Sequence, residues 1–148
     1  MKKINIVIFV LAVLFILSAC GAKTIDISTL SKRLVEEGEF SEKLSEVPLR
    51  ITEKRYDLSD KEIEEGVAYS GTNAVVDEVA IFKAKDTDSV KEKVMKHIEA
   101  QEEIYKSYAP DEVSKLNDCI VEVKGDYVIL CVSENPSSAE KIIEEYVK

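Results

Sequence analysis

Gly125-Asp126 stands between two runs of strand-forming residues, 119–124 and 127–133, and nothing else in this 148-residue chain restricts its fold so strongly. A two-residue loop with glycine first is a hairpin turn, because that position needs a positive φ that glycine adopts without strain. The turn fixes the register. Side chains then alternate, so Cys119, Val121 and Val123 share a face with Val128, Leu130 and Val132. That face is wholly apolar and turns toward a core. The same register sets Cys119 opposite Val132 and turns Cys131 to the other face beside Ile120, so no disulfide is expected between the two cysteines.

The rest of the chain alternates helix and strand signals. Ile27, Leu30, Leu34 and Val35 recur at helical spacing and predict a helix over 26–37, with Gly38 placed as a left-handed stop. Residues 40–55 are poorly patterned, and Pro48 bars a long helix there, which leaves a loop with a short strand or turn. Ser59 with Glu62 forms a capping box and Leu58 with Ile63 a hydrophobic staple, which predicts a short helix ended by Gly66. Strands follow at 67–70 and 74–84, joined by Gly71-Thr72-Asn73. Val90, Val94, Ile98, Gln101, Tyr105 and Tyr108 lie on one stripe of a long helix over 86–107. Pro110 opens a shorter helix to Leu116, and a last helix from Pro136 or Ser137 buries Ile142, Ile143 and Tyr146. Two hairpins among helices predict an α+β fold: an antiparallel sheet of about four strands with helices packed on one face, a two-layer sandwich.

At the N-terminus Lys2 and Lys3 precede an apolar run over 4–17, broken by Asn5 and followed by Ser18 and Ala19. This is the layout of a secretory signal peptide. The run is shorter than the roughly 20 apolar residues a spanning helix needs. Leu17-Ser18-Ala19-Cys20 resembles the bacterial lipobox, which implies a diacylglyceryl thioether on Cys20 and cleavage before it. Residues 1–19 are then a removed signal peptide, 20–25 the lipidated cysteine and a short tether, and 26–148 a single domain. The mature chain keeps 18 basic residues against 29 acidic ones, a net charge of −11. Such a chain is repelled by phosphates, which argues against nucleic acid and against docking of the domain itself on anionic headgroups. The tether reaches roughly 17 Å when extended, so the domain sits near the bilayer.

Candidate chemistry is sparse. His97 is the single histidine, and no metal-ligand spacing, phosphate loop or cofactor motif is present, so neither metal nor cofactor is expected. His97 falls beside the apolar stripe of the long helix, where a half-covered ring is expected. Asp77 and Glu78 interrupt an apolar strand, where charges are costly unless they reach water or a partner. With Tyr69 they form a candidate binding set for a cation or basic ligand. Adjacent strand residues point to opposite faces, so the two acids do not suit glycoside chemistry.

Several stretches together resemble a family of small bacterial lipoproteins filed as a domain of unknown function, number four-three-five-eight. They are LSACG, DEVAIFKAKD at 77–86, YAPDEVSKLND at 108–118 and GDYVILCVSENPSSAEKII at 125–143. The resemblance implies a lipid-anchored envelope protein on the extracytoplasmic face of the cell membrane and carries over Cys20 alone as a functional position. The expectation is a non-enzymatic binding or accessory module meeting a membrane-proximal protein or envelope component. The alternative is a small hydrolase or transferase using Asp77 or Glu78 as acid or base.

Overall fold

The computed structural model describes residues 24–147, so the signal-peptide and lipobox readings, Cys20 included, lie outside the described residues. Helix α1 (Ile27–Glu37) is followed by β1 (Ser45–Val47), α2 (Leu49–Arg55), β2 (Ile63–Ser70) and β3 (Glu78–Ala84). Then come the long α3 (Thr87–Tyr108), a 3-10 turn (Pro110–Glu112), α4 (Val113–Asn117), the hairpin β4 (Ile120–Lys124) and β5 (Tyr127–Val132), and α5 (Pro136–Val147). The strands form one antiparallel sheet in the order β1-β2-β3-β5-β4. The α+β class and the antiparallel sheet agree with the sequence reading.

Two features of the architecture differ from it. The sheet has five strands, because the segment before Pro48 pairs Ser45, Glu46 and Val47 with Ser70, Tyr69 and Ala68. Helices also cover both faces instead of one. Ala80, Phe82, Val128, Leu130 and Val132 pack with Val90, Val94 and Ile98 of α3. Val79, Ile81, Ile129 and Cys131 pack with Leu30 and Leu34 of α1 and with Ile142 and Ile143 of α5. The physical reason lies in the central strands: a strand covered on both faces reads as a continuous apolar run, as VAIF and YVILCV do.

Local signals were outvoted twice. Ser59 and Glu62 do bond, Oγ to Oε2 at 2.9 Å, but they close a single turn, and Ile63 enters β2 beside Ala84. Gly38 ends α1 in an extended conformation at φ −72°, not a left-handed one. Its need for glycine is close approach: a Cβ there would lie 2.4 Å from the Leu34 carbonyl oxygen and 2.6 Å from the Phe40 ring. Gly38→Ala is therefore expected to lower stability by about 1–3 kcal/mol in denaturant unfolding, as overpacking does. The Gly125-Asp126 turn is as read, with Gly125 at φ 58° and Lys124 paired to Tyr127.

Candidate functional site

The apolar start of β3 carries two acids into the interior: Asp77 is 1 % and Glu78 4 % exposed. Each is met by hydrogen-bonding partners from elements distant in sequence. Glu78 accepts from Arg55 Nη1 at the end of α2 at 3.1 Å and faces His97 Nε2 of α3 at 2.8 Å. An ionised carboxylate can only accept, so Nε2 carries the proton in that contact. Burial by itself would raise the pKa of Glu78, but the hydrogen bond from His97 and the charges of His97 and Arg55 outweigh it and hold the carboxyl below its ordinary range. Tyr56 stacks on His97 with ring centroids 4.2 Å apart. Its buried hydroxyl completes no regular hydrogen bond, and burial followed by the Glu78 charge pushes its pKa up.

Asp77 belongs to a second cluster, centred on Lys115 of α4. Lys115, 9 % exposed, sends Nζ to Asp77 Oδ1 at 3.1 Å, Glu112 Oε2 at 3.0 Å and Glu134 Oε1 at 2.8 Å, and also donates to the Ser41 hydroxyl. The Ser41 backbone N–H donates to the other Asp77 oxygen. Burial disfavours the ammonium, but its carboxylate partners outweigh burial and raise its pKa. Glu134 is correspondingly held low by Lys115 and Ser41. One ammonium thus ties together the 38–44 loop, the start of β3, α4 and the end of β5.

Both acids line one polar cavity of about 250 Å³, with Arg55, Ser70 to Asn73, Gln101 and Tyr105 around it. A wider groove of about 440 Å³ adjoins it, walled by Asn73, Gln101, Ile104, Tyr105 and Tyr108. Tyr105 is the fixed wall: its hydroxyl lies 2.9 Å from the carbonyls of Asn73 and Val75 and pins the loop before β3 to α3. Ile104 and Tyr108 are 59 % and 66 % exposed.

Tyr69 is not brought to this place. It pairs across β2 with Val79, on the sheet face opposite Glu78, and its hydroxyl reaches toward Glu46. His97 is buried at 8 % instead of half covered. Arg55, His97 and Lys115 are the residues that sequence reasoning did not join to the acids. Only spacing to near neighbours, such as Glu112 three residues before Lys115, was there to read. The two thiols sit on opposite sides of the sheet, Cys119 against the α3 layer and Cys131 against the α1 and α5 layer. Among the described residues, no group of three or more His, Cys, Asp or Glu side chains is placed to hold a metal ion. No helix among them is long and apolar enough to cross a membrane.

No curated protein and no solved structure matches this chain. Residues 36–133 match the profile of a family described as a domain of unknown function, DUF4358. That span holds all five strands, both buried acids and their partners Arg55, His97 and Lys115. With two thirds of its length matched, the chain belongs to the DUF4358 family.

Proposed function

We propose that the protein is a non-enzymatic binding or accessory module, held by lipid on Cys20 at the extracytoplasmic face of the cell membrane and meeting a protein or envelope component there. One observation carries the non-enzymatic part: both buried carboxylates already have partners within the chain, Glu78 in Arg55 and His97 and Asp77 in Lys115. A general acid or base needs a carboxyl free to exchange a proton with substrate. The exposed groove with Ile104 and Tyr108 is the kind of surface a binding module presents.

The second reading, a small hydrolase or transferase using Asp77 or Glu78, draws on their shared polar cavity. It gains support if the purified chain turns over simple ester or phosphoester substrates at a rate that Glu78→Gln or Asp77→Asn abolishes without unfolding. For the anchor, Cys20→Ser expressed in a bacterium that processes lipoproteins is expected to leave the membrane fraction, and the wild-type N-terminal peptide is expected to carry the mass of its acyl chains. One acyl chain holds weakly and two or three durably, at about 0.8 kcal/mol per buried methylene. Full membrane retention of Cys20→Ser would overturn the anchor.

A further inference from the structure

The polar cavity beside the buried acids and the groove next to it form one space, because Asn73, Gln101 and Tyr105 line both. Several polar groups turned toward it are uncommitted. The side-chain amides of Gln101 and Asn73 and the Ser70 hydroxyl, all on its lining, meet no hydrogen-bond partner among the described residues. Arg55 gives one N–H to Glu78, and its other guanidinium N–H groups are open as well. Polar groups that converge on a hollow without bonding one another are arranged for a guest.

Charge on the lining excludes an ionic guest of either sign. Asp77, Glu78 and Arg55 are the charged groups that line the cavity. All four carboxylate oxygens already hold a partner: Lys115 and the Ser41 N–H on Asp77, Arg55 and His97 on Glu78. A cation would find no bare carboxylate and would stand against Arg55, whereas an anion would lie over two buried acids. Glu42 and Glu112 hold the Thr72 and Val76 backbone N–H groups and are not on the lining. The guest is therefore neutral, and it must present donors and acceptors side by side. A guanidinium only donates, an amide donates at one end and accepts at the other, and a hydroxyl does both. Neighbouring hydroxyls on a ring meet all three.

The groove asks for an apolar face on the same guest. Tyr105 and Tyr108 stand edge to face with centroids 6.0 Å apart, and Tyr108 and Ile104 are exposed beside the cavity mouth. The C–H face of a pyranose ring lies well on an aromatic ring, whose π cloud is negative. Hydroxyls around the rim and C–H groups on the faces are what a sugar combines. At about 250 Å³ the cavity is smaller than sites for drug-sized ligands and suits a single ring.

We infer that the joined cavity and groove are a saccharide site, taking one ring of a neutral glycan among Arg55, Ser70, Asn73 and Gln101 and laying the next against Tyr108. This deepens the binding-module reading and rests on it. It is tested by calorimetric titration of the full-length protein, in a detergent that carries no sugar, with maltotriose, cellotriose, mannotriose and the N-acetylglucosamine trimer. At least one of these is expected to bind. The cationic, deacetylated glucosamine trimer, an anionic galacturonate trimer and a short acetylated and amidated glycine peptide are each expected to bind at least tenfold more weakly. Arg55 and Tyr105 also support the fold, so the variants are Gln101→Ala and Tyr108→Ala. Each is expected to weaken the glycan about tenfold or more with its Tm unchanged, while Met95→Ala, on α3 but outside the lining, binds as wild type does. Absence of binding by every neutral trimer, equal binding of a charged trimer or of the peptide, or wild-type affinity in both variants would overturn the inference and leave the module reading standing. Shortening of the bound trisaccharide on incubation would overturn the non-enzymatic part of that reading and leave the site.

Discussion

Lys115→Met is expected to lower stability by about 3–5 kcal/mol, because it removes the cation from a fully buried carboxylate and leaves Asp77 charged in the interior. For a domain of this size that is a fall in Tm of about 10–20 °C. Methionine keeps the length of the side chain, so the loss reflects charge more than packing. The double variant Asp77→Asn with Lys115→Met is expected to be more stable than the sum of the two single losses, since removing both charges removes the unpaired one. A single-variant loss below about 1 kcal/mol, the range of exposed pairs, would show that the Lys115 cluster is not holding the loop, β3 and α4 together.

The second large effect is at Glu78. Its folded-state pKa is lowered, so its contribution is present above the ordinary carboxylate value of 4.5 and is lost as pH falls below that through the folded value. Glu78→Gln keeps the shape and removes the charge, and is expected to cost about 1.5–3 kcal/mol near neutral pH, the range of hydrogen bonds to charged groups. Glu134, Glu62 and other paired carboxylates also lose their pairing in acid, so the wild-type curve alone does not isolate Glu78. The difference between wild type and variant does. It is expected to shrink as pH falls below about 4.5. A difference that stays constant down to pH 3 would mean that the carboxylate charge is not what His97 and Arg55 are holding.

What could be read beforehand followed the range over which the chain carries its own information. The Gly125-Asp126 turn and the Val90, Val94, Ile98 and Tyr105 part of the α3 stripe are settled within a few residues, and each appears as read. Ser59 and Glu62 show the limit of such signals: the bond between them forms, but pairing of Ile63 with Ala84 and burial of Ile63 against Phe82 and Leu58 decide the element. The continuous apolar runs of β3 and β5 held the evidence for two covered faces, but only one face of the hairpin was counted. The site depended on distance in sequence. Asp77 and Glu78 stood out as charges in an apolar strand, yet their partners lie 38, 23 and 19 residues away. No local pattern links an arginine at the end of a short helix to an acid that begins a strand two elements later. Tyr69 was grouped with the acids by proximity in sequence, whereas alternation along β2 carries it to the opposite face.

The strand order has a consequence for how the chain comes together. β3 pairs with β2 and with β5, and the second pairing joins Glu78 to Val132 and Lys83 to Tyr127 across more than forty residues. Each hairpin closes quickly by itself, but the joint between them waits for a long loop to close around α3. A nascent or truncated chain that stops before residue 127 has β1, β2 and β3 but no β5. The free edge of Val79, Ala80, Ile81 and Phe82 is then an apolar strand open to any other strand that meets it. Completion of the C-terminal hairpin therefore guards this chain against aggregation: its last strand covers the edge on which unfinished copies would otherwise assemble.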